Sequence, residues 1–258
     1  MVISIGFSIT FGSYLISRLL DLSRIITGKV TFFEYIKVLG FVFWGGLLIG
    51  SIITILFSYQ FNIPLIHLTD AIVLGIPIGQ LWGRIGCLNY VYCHGRKSKK
   101  SSWGISYSHP NSKVLRTYPK LDGIKLYPTQ VYSIISNFII YLILCLLILI
   151  IKTPFPGLLT AVFFVLFGMK RFLIEFIRGE FPRTNIMGFT IWQWFAFCLF
   201  LLGLYCMIFI LDFSNYTKSS FNLKNGLNTI IQFQPQVVIA SLIITIIFSI
   251  HIRKIGSW

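Results

Sequence analysis

Residues 67–96 read HLTDAIVLGIPIGQLWGRIGCLNYVYCHGR and combine an apolar run with charged side chains. The apolar part is long enough to cross a bilayer, yet it contains Asp70, Gln80 and Arg84. A charged side chain at membrane depth is costly, so it normally faces a protein interior or a wet cavity. The glycines in the stretch let a backbone or a ligand approach closely. We therefore expect this stretch to form the core of a site embedded in a membrane.

The composition of the whole chain is that of an integral membrane protein. Of 258 residues, 56% are hydrophobic and 11% are charged, whereas a soluble domain carries about 25% charged residues. The net charge of +15 comes from 22 Lys and Arg against 7 Asp and Glu. Such an excess fits a positive-inside bias or contact with anionic lipid. Nucleic acid is not expected as a partner, because the polar regions are too small for a binding domain.

Seven apolar stretches, each about 20 residues long, predict membrane-spanning helices. They cover residues 2–20, 33–58, 68–90, 128–151, 156–177, 187–211 and 235–252. Helices are expected rather than strands, because backbone groups in lipid must be paired within the segment. The predicted fold is an all-α, polytopic membrane helix bundle with about seven transmembrane helices and a polar central cavity. It forms a single transmembrane domain over residues 1–258.

The longest polar connection, residues 96–127, is strongly basic. Its lysines and arginines are opposed only by Asp122, and its aromatic residues suit a loop at the headgroup level. A solvated cytoplasmic loop would have a similar composition. The distribution of Lys and Arg over all connections favours an N-terminus outside and this loop inside, although a basic loop needed for function would bias that count.

Polar residues are concentrated in four places within the apolar segments. The first runs from Asp70 to Arg96, and the second is the helix start Tyr127-Pro128-Thr129-Gln130-Val131-Tyr132. The third is Lys170-Arg171-Phe172-Leu173-Ile174-Glu175-Phe176-Ile177-Arg178, and the fourth is Gln193 between two tryptophans. Arg171 and Glu175 are four residues apart, so they lie on one helix face and can pair or share a cavity.

Several of these polar residues have a structural alternative. Arg171 with Glu175 can be a buried ion pair and nothing more. Arg178 can extend to the membrane interface, and Asp70 can cap the N-terminus of its own helix. Arg84, between two glycines inside an apolar helix, has no comparable explanation.

Cysteine and histidine in the first cluster do not predict a metal centre. The spacing of Cys87, Cys93 and His94 matches no common zinc pattern and supplies no fourth ligand. We expect no metal and no cofactor. A disulfide between the two cysteines stays open.

Two separated arginines, Arg84 and Arg171, suggest an anion bound inside the bundle. A guanidinium group is always charged and matches phosphate oxygens in a two-pronged manner. The abundant anion of a bilayer is a phospholipid headgroup. The chemistry expected from this arrangement is group transfer from a phospholipid, with the arginines stabilising the departing phosphate.

At these residues the sequence resembles the prolipoprotein diacylglyceryl transferases of bacterial inner membranes. The family signature Gly-Arg-x-Gly-Asn-Phe-x-Asn-Gly-Glu-x-x-Gly matches Gly83-Arg84-Ile85-Gly86 and Gly95. Further matches, in the family's order, are Trp44-Gly45-Gly46-Leu47-Leu48, Asp70, the segment 127–132, the segment 171–178 and the segment 188–193.

The resemblance implies transfer of the diacylglyceryl group of phosphatidylglycerol to the lipobox Cys thiol of a preprolipoprotein, with release of glycerol phosphate. Arg84 and Arg171 would hold the headgroup, and Glu175 would orient Arg171. His94 would help to form the reactive thiolate. The expected binding residues for phosphatidylglycerol or another anionic phospholipid are Asp70, Gln80, Gly83, Gly86, Asn89, Gly95, Arg96, Gln130, Tyr132 and Arg178. The resemblance also implies a multi-pass location in the bacterial cell inner (plasma) membrane.

The chain departs from the family pattern at three positions. Trp44 stands for the family's His, Cys87 for its Asn and Tyr92 for its Glu, and residues 213–258 form an extra C-terminal segment. These departures leave a second hypothesis, a non-catalytic phospholipid-binding or lipid-transport protein that kept the cavity. A small-solute transporter is less expected, because the chain shows no inverted repeat. The family's orientation would place residues 96–127 outside, the reverse of what the charge count favours.

Overall fold

The chain divides into two compact units, residues 1–68 with 222–258 and residues 69–221. The computed structural model describes residues 43–89, 91, 93–98, 104–109, 112–151, 155–179 and 185–212, with only the backbone for 43–48 and 210–212. The predicted spans 2–20 and 235–252, and the whole C-terminal segment 213–258, lie outside these residues. The prediction of one domain over the whole chain stays a prediction.

In the first unit, helix α1 runs Phe43–Phe61 and covers the later part of the predicted span 33–58. Its C-terminal end is fixed locally, since Ser58 Oγ donates a hydrogen bond to the Ile63 carbonyl at 2.8 Å. The next helix begins immediately after Pro64, a residue that suits a helix start. The predicted connection 59–67 is therefore shorter than expected.

The second unit contains most of the described helices and two short hairpins. The helices are α2 (Leu65–Asn89, which begins in the first unit), α3 (Lys113–Thr117), α4 (Thr129–Ile151), α5 (Leu158–Glu175) and α6 (Ile191–Asp212). The antiparallel pairs are β1 (Ile105–Ser106) with β2 (Lys125–Leu126), and β3 (Asn185–Ile186) with β4 (Phe189–Thr190).

The described residues confirm a mostly helical membrane protein, whereas the count of seven helices stays a prediction. Helices α2, α4, α5 and α6 coincide with four of the predicted spans, with ends that differ by a few residues. Among the described helices, α2, α4 and α6 are long and apolar enough to cross a membrane. Helix α5 is 18 residues long and contains three charged residues, Lys170, Arg171 and Glu175, near its C-terminal end.

The apolar core of the second unit lies between α2, α4 and α5. Its buried members are Val73, Ile140, Leu144, Ile148, Leu159 and Phe163. The opposite face of α4 is equally apolar but exposed, reaching 74% at Ile150. An exposed apolar face of this size marks contact with another apolar phase, and lipid tails supply it for a membrane helix.

Helices α5 and α6 run antiparallel with their backbones in near contact. A Cβ on Gly168 would lie 2.7 Å from the Ala196 carbonyl oxygen, and one on Gly203 would lie 2.8 Å from the Ala161 carbonyl oxygen. Neither contact can relax by rotating a side chain, because the obstructing atoms are backbone. Small residues that admit such close approach are the usual basis of helix association in membranes.

Replacing Gly168 by Val is expected to separate α5 from α6 and to destabilise the protein. Inserting a side chain into a close-packed contact costs about 1–3 kcal/mol. Thermal unfolding of the purified protein in detergent would show a lower midpoint. Gly79→Ala on α2 is the matched control, because no described atom lies within 4 Å of its added Cβ. An unchanged midpoint for Gly168→Val would contradict the close packing.

The basic connection 96–127 has an apolar centre of its own. Tyr107, Val114 and Leu126 are buried together where α3 meets the β1–β2 pair. Burial raises the pKa of the Tyr107 hydroxyl above its ordinary value, and the Gln130 side chain in the first turn of α4 opposes part of that rise. The described part of the connection is therefore folded and rests against the start of α4, with its charged side chains outside.

Candidate functional site

Apart from Asp70, the predicted polar clusters lie at one end of the second unit. Helices α2 and α5 are parallel, because Asp70 bonds to Thr160 and Gln80 bonds to Lys170, ten residues further along each helix. Helix α6 is antiparallel to α5, and α4 also runs opposite to α5. The ends of α2 and α5 therefore meet the starts of α4 and α6. The signature segment and the segments 127–132, 171–178 and 190–193 therefore lie together at this end of the bundle.

Arg84 and Arg171 come from different helices, and both lie within electrostatic range of Lys170. The positive charges of both arginines act on the Lys170 side chain. Arg84 lies about one turn beyond Gln80, which contacts Lys170, so the two arginines are at similar heights in the bundle. No hydrogen bond or ion pair joins the half-buried Arg84 side chain to the part of the chain that the structure describes.

The predicted pairing of Arg171 with Glu175 is confirmed. The Nη2–Oε2 distance is 3.3 Å, with 19% of the Arg171 side chain and 0% of the Glu175 side chain exposed. Thr190 Oγ1 donates to Glu175 Oε1 at 3.4 Å, and the Arg171 guanidinium lies 5.9 Å from the centre of the Trp192 ring. The carboxylate thus faces the positive N-terminal end of α6, which stabilises its charge.

The start of α6 is a capping box that the sequence analysis missed. The Gln193 amide donates to Thr190 Oγ1 at 3.2 Å, and the Thr190 amide donates to Gln193 Oε1 at 2.9 Å. The pattern Thr-x-x-Gln before an apolar run is the signal that could have predicted it. Gln193 therefore holds Thr190, and Thr190 in turn holds Glu175.

Lys170 was not among the predicted site residues, although it lies at the centre of the cluster. Its Nζ is 2.6 Å from Asn137 Oδ1 on α4 and 3.3 Å from Gln80 Oε1 on α2. The Phe167 ring covers it, with the Nζ 4.3 Å from the ring centre. Two features of the sequence could have predicted this role. Lys170 is a charged residue within a predicted span, and Asn137 lies two turns after Gln130 on the same helix face.

Three chain segments cross at a backbone junction formed by residues 94–96, 127 and 177–179. The Gly95 amide donates to the Tyr127 carbonyl at 2.9 Å, and the Arg96 amide donates to the Ile177 carbonyl at 2.9 Å. The Gly179 amide closes the junction by donating to the His94 carbonyl at 3.2 Å. A Cβ on Gly95 would collide with the Tyr127 carbonyl oxygen and lie 2.9 Å from that of Ile177. Gly95 is thus required for the crossing of the segments.

His94 is buried beside this junction with one ring nitrogen oriented. Its Nδ1 is 2.9 Å from the Gly95 carbonyl oxygen, and its ring meets the Tyr118 ring edge-on at 5.9 Å. Because a carbonyl oxygen only accepts, Nδ1 carries the proton and Nε2 keeps the lone pair in the neutral ring. The ring lines a cavity of about 560 Å³ whose other walls include Lys120 and Gly179. Among the described residues, no contact joins His94 to Arg84 or Arg171.

Asp70 lies at the opposite end of α5 from the cation cluster. Its Oδ2 accepts from the Gly157 amide at 2.6 Å, and its Oδ1 accepts from the Thr160 amide at 2.8 Å and the Thr160 hydroxyl at 2.6 Å. The expectation that Asp70 caps the N-terminus of its own helix is wrong, because α2 begins five residues before Asp70. Asp70 instead caps α5, whose N-cap residue, Gly157, has no side chain that could accept these hydrogen bonds. Thr160 and Lys170 are separated by about 15 Å along the helix axis.

Replacing Asp70 by Ala is expected to lower stability by about 2 kcal/mol, the upper part of the range for the loss of a helix cap, because three donors lose their acceptor. The measurement is the unfolding free energy in mixed micelles with increasing denaturant. Asp122→Ala, which removes an exposed carboxylate from a turn, is the control and should leave that free energy unchanged. Equal stabilities of the two variants would exclude the capping role.

The remaining predicted residues lie around the cluster rather than in one pocket. No described atom lies within 4 Å of a Cβ added to Gly83 or Gly86, so α2 is open on either side of Arg84. Asn89 and Arg96 are exposed, Gln130 is fully buried, Tyr132 and Arg178 are half-buried, and Arg178 pairs through its backbone with Gly95. No disulfide joins Cys87 and Cys93. Tyr92 and the side chains of residues 44–48 lie outside the described residues.

Fold and site together define a helical membrane protein with a cluster of cations at one end of its bundle. The family model of the prolipoprotein diacylglyceryl transferases matches residues 4–209. The chain therefore belongs to this family of transferases, which act in lipoprotein biosynthesis, and the family that the sequence analysis expected is confirmed.

Curated relatives carry the corresponding enzyme name. The phosphatidylglycerol–prolipoprotein diacylglyceryl transferase of Clostridium tetani is 28% identical over 209 residues, 80% of this chain and 76% of that one. The enzyme of Clostridium perfringens named with the suffix 2 is 31% identical over 147 residues, 57% of this chain and 53% of that one. The Wolbachia pipientis enzyme is 29% identical over 185 residues, 70% and 66% of the two chains.

Proposed function

We propose that this protein transfers the diacylglyceryl group of phosphatidylglycerol to the thiol of a prolipoprotein cysteine and releases glycerol phosphate. The names of its relatives state both substrates. The observation that carries the proposal is that Arg84 and Arg171, on different helices, both lie within electrostatic range of one lysine inside an apolar bundle. A phospholipid phosphate is the anion that such a site meets in a bilayer.

The reaction exchanges one bond to the glyceryl carbon for another. The bond from that carbon to the phosphate oxygen breaks, its electron pair stays with the phosphate, and a bond to the thiolate sulfur forms. Arg84 and Arg171 stabilise the charge on the departing phosphate, and Glu175 keeps Arg171 in position. His94 Nε2 accepts the thiol proton, because the thiolate is the nucleophilic form of cysteine.

The other predicted residues fall into two groups. Within the described residues α2 has open space at Gly83 and Gly86, and on this proposal the lipid lies there beside Arg84. Asp70 and Gly95 position the helices and the junction around the site. Contact with the headgroup or the acceptor remains proposed for Gln80, Asn89, Arg96, Gln130, Tyr132 and Arg178. On this proposal the protein is a multi-pass protein of the bacterial inner membrane, where its lipid donor and its acceptor meet.

The test supplies purified protein with labelled phosphatidylglycerol and a synthetic lipobox peptide. Mass spectrometry should show a thioether between the peptide cysteine and the diacylglyceryl group, together with free glycerol phosphate. A peptide with Ser in place of the cysteine is the acceptor control, and phosphatidylethanolamine is the donor control. Recovery of intact phosphatidylglycerol bound to the protein, with unmodified peptide, would instead establish the non-catalytic lipid-binding alternative.

A further inference from the structure

We infer that the cavity beside His94 is the binding site for the acceptor peptide, and that residues 117–121 form the wall against which the peptide lies around its cysteine. The inference rests on the proposed function and says where the second substrate binds. Apart from His94, none of the described residues that line this cavity was among the predicted site residues.

The cavity connects a buried histidine with the surface of the protein. His94 is only 4% exposed, whereas Thr117, Pro119 and Lys120, which line the same cavity, are exposed. The volume of about 560 Å³ falls within the range of about 300–1,000 Å³ that is usual for ligand pockets. A substrate can therefore enter from water and reach the imidazole without crossing the apolar bundle.

His94 and Lys120 supply the two groups that help a thiol to ionise. Because His94 Nδ1 faces the Gly95 carbonyl, Nε2 is the ring nitrogen available to a ligand. The proton of the acceptor thiol passes to the Nε2 lone pair, which leaves an imidazolium and a thiolate. The positive charge of Lys120, on the same cavity, favours the thiolate. The sulfur then uses this electron pair to form its bond to the glyceryl carbon.

The cavity lies next to the end of α5 that carries the Arg171–Glu175 ion pair. Gly179 lines the cavity and follows Glu175 by four residues, which can span at most about 14 Å. The Gly179 amide donates to the His94 carbonyl and thereby fixes this wall beside the histidine. A peptide held in the cavity is therefore placed at the end of the bundle where the proposed phosphate site lies.

The walls of the cavity suit a peptide better than a second lipid. Residues 117–121 belong to the basic connection outside the membrane-spanning helices, so their exposed side chains face water rather than acyl chains. Pro119 and Leu121 add apolar surface beside the polar Thr117 and Lys120, a combination typical of ligand pockets. The names of the relatives state a prolipoprotein as a substrate.

Disulfide trapping tests the position of the peptide without requiring turnover. Thr117→Cys is incubated with the lipobox peptide and a mild oxidant in the absence of phosphatidylglycerol, and mass spectrometry measures the mixed disulfide. We expect at least about tenfold more adduct than with wild type, because binding holds the two thiols together. The five cysteines of the wild type set the background. Ser106→Cys, exposed on β1 and outside the cavity lining, is the matched control and should stay at that background.

Filling the cavity tests which substrate it holds. Thr117→Trp should raise the KM for the peptide about tenfold while the KM for phosphatidylglycerol changes less than about twofold, the pattern of lost binding. Lys120→Met should lower kcat/KM for the peptide about fivefold, the upper range for an exposed ion pair. Lys97→Met removes an exposed charge of the same connection outside the cavity lining, and it should leave kcat/KM unchanged.

The outcomes separate this inference from the proposed function. If wild type forms no thioether but Thr117→Cys traps the peptide, the transfer is refuted and the cavity stands as a peptide site. If wild type is active and Thr117→Cys traps no more peptide than Ser106→Cys, the inference is overturned. A rise in the KM for phosphatidylglycerol with Thr117→Trp would also overturn it, because the cavity would then hold the donor headgroup. If Thr117→Trp does not accumulate, the trapping experiment decides the question.

Discussion

Arg171→Ala is expected to reduce thioether formation by at least about 1,000-fold, the largest effect anticipated for a single side chain of this protein. The substitution removes a cation from the phosphate site. It also leaves the fully buried Glu175 carboxylate without its guanidinium partner, and breaking a buried pair in this way costs about 3–5 kcal/mol. Activity with labelled phosphatidylglycerol and thermal stability should therefore fall together.

A double variant separates the two effects of Arg171→Ala. In Arg171→Ala/Glu175→Ala no carboxylate is left buried, so most of the stability should return while activity stays lost. Arg84→Ala offers the complementary case. Its guanidinium has no ion pair within the described part of the chain, so activity should fall about 100-fold with little change in stability. Normal turnover by either single variant would refute the arginine assignment.

Gly95→Ala is expected to disrupt folding strongly, because Gly95 lies against backbone atoms of two other segments at the junction. The new Cβ meets the backbone of Tyr127 and of Ile177, and neither can move without opening the junction. We expect a loss of about 3 kcal/mol, at the upper end of the cost of overpacking. Labelling of the buried Cys93 thiol by a maleimide during heating reports the opening directly.

Gly75→Ala is the control for this experiment, because α2 leaves open space around Gly75 among the described residues. Ala in a helix interior is favoured over Gly by about 1 kcal/mol, so this variant should label no faster than wild type. If Gly95→Ala matches Gly75→Ala in labelling rate, the junction is not as tightly packed as described.

The sequence could predict the bounds of long apolar helices and the contacts between residues of one helix. Helix α4 was expected over residues 128–151 and is found at 129–151, since a mostly apolar run of 23 residues between Pro128 and a polar connection leaves little choice. The pairing of Arg171 with Glu175 follows from a spacing of four on one helix. Both predictions need only local geometry.

Contacts between helices were beyond sequence reasoning. Asp70 sits in a helix whose N-terminus it could have capped, and only the packing of α2 beside α5 shows that it caps the other helix. Lys170 finds its acceptors, Gln80 and Asn137, on two helices that lie 90 and 33 residues away in sequence. Such partners depend on which faces of the helices contact each other. A helix that is apolar on all sides has no hydrophobic pattern from which its orientation about its own axis could be predicted.

The equal spacing of the two polar links between α2 and α5 fixes the axial register of the pair. The Asp70–Thr160 and Gln80–Lys170 hydrogen bonds link the two helices at two points, which are ten residues apart on each helix. If one helix slipped by one residue along the other, each linking side chain would move by about 1.5 Å along the axis and rotate by about 100° around it, so both hydrogen bonds would break. The depth of the proposed phosphate site is thus set from the far end of the helix, by a carboxylate that does not contact the phosphate.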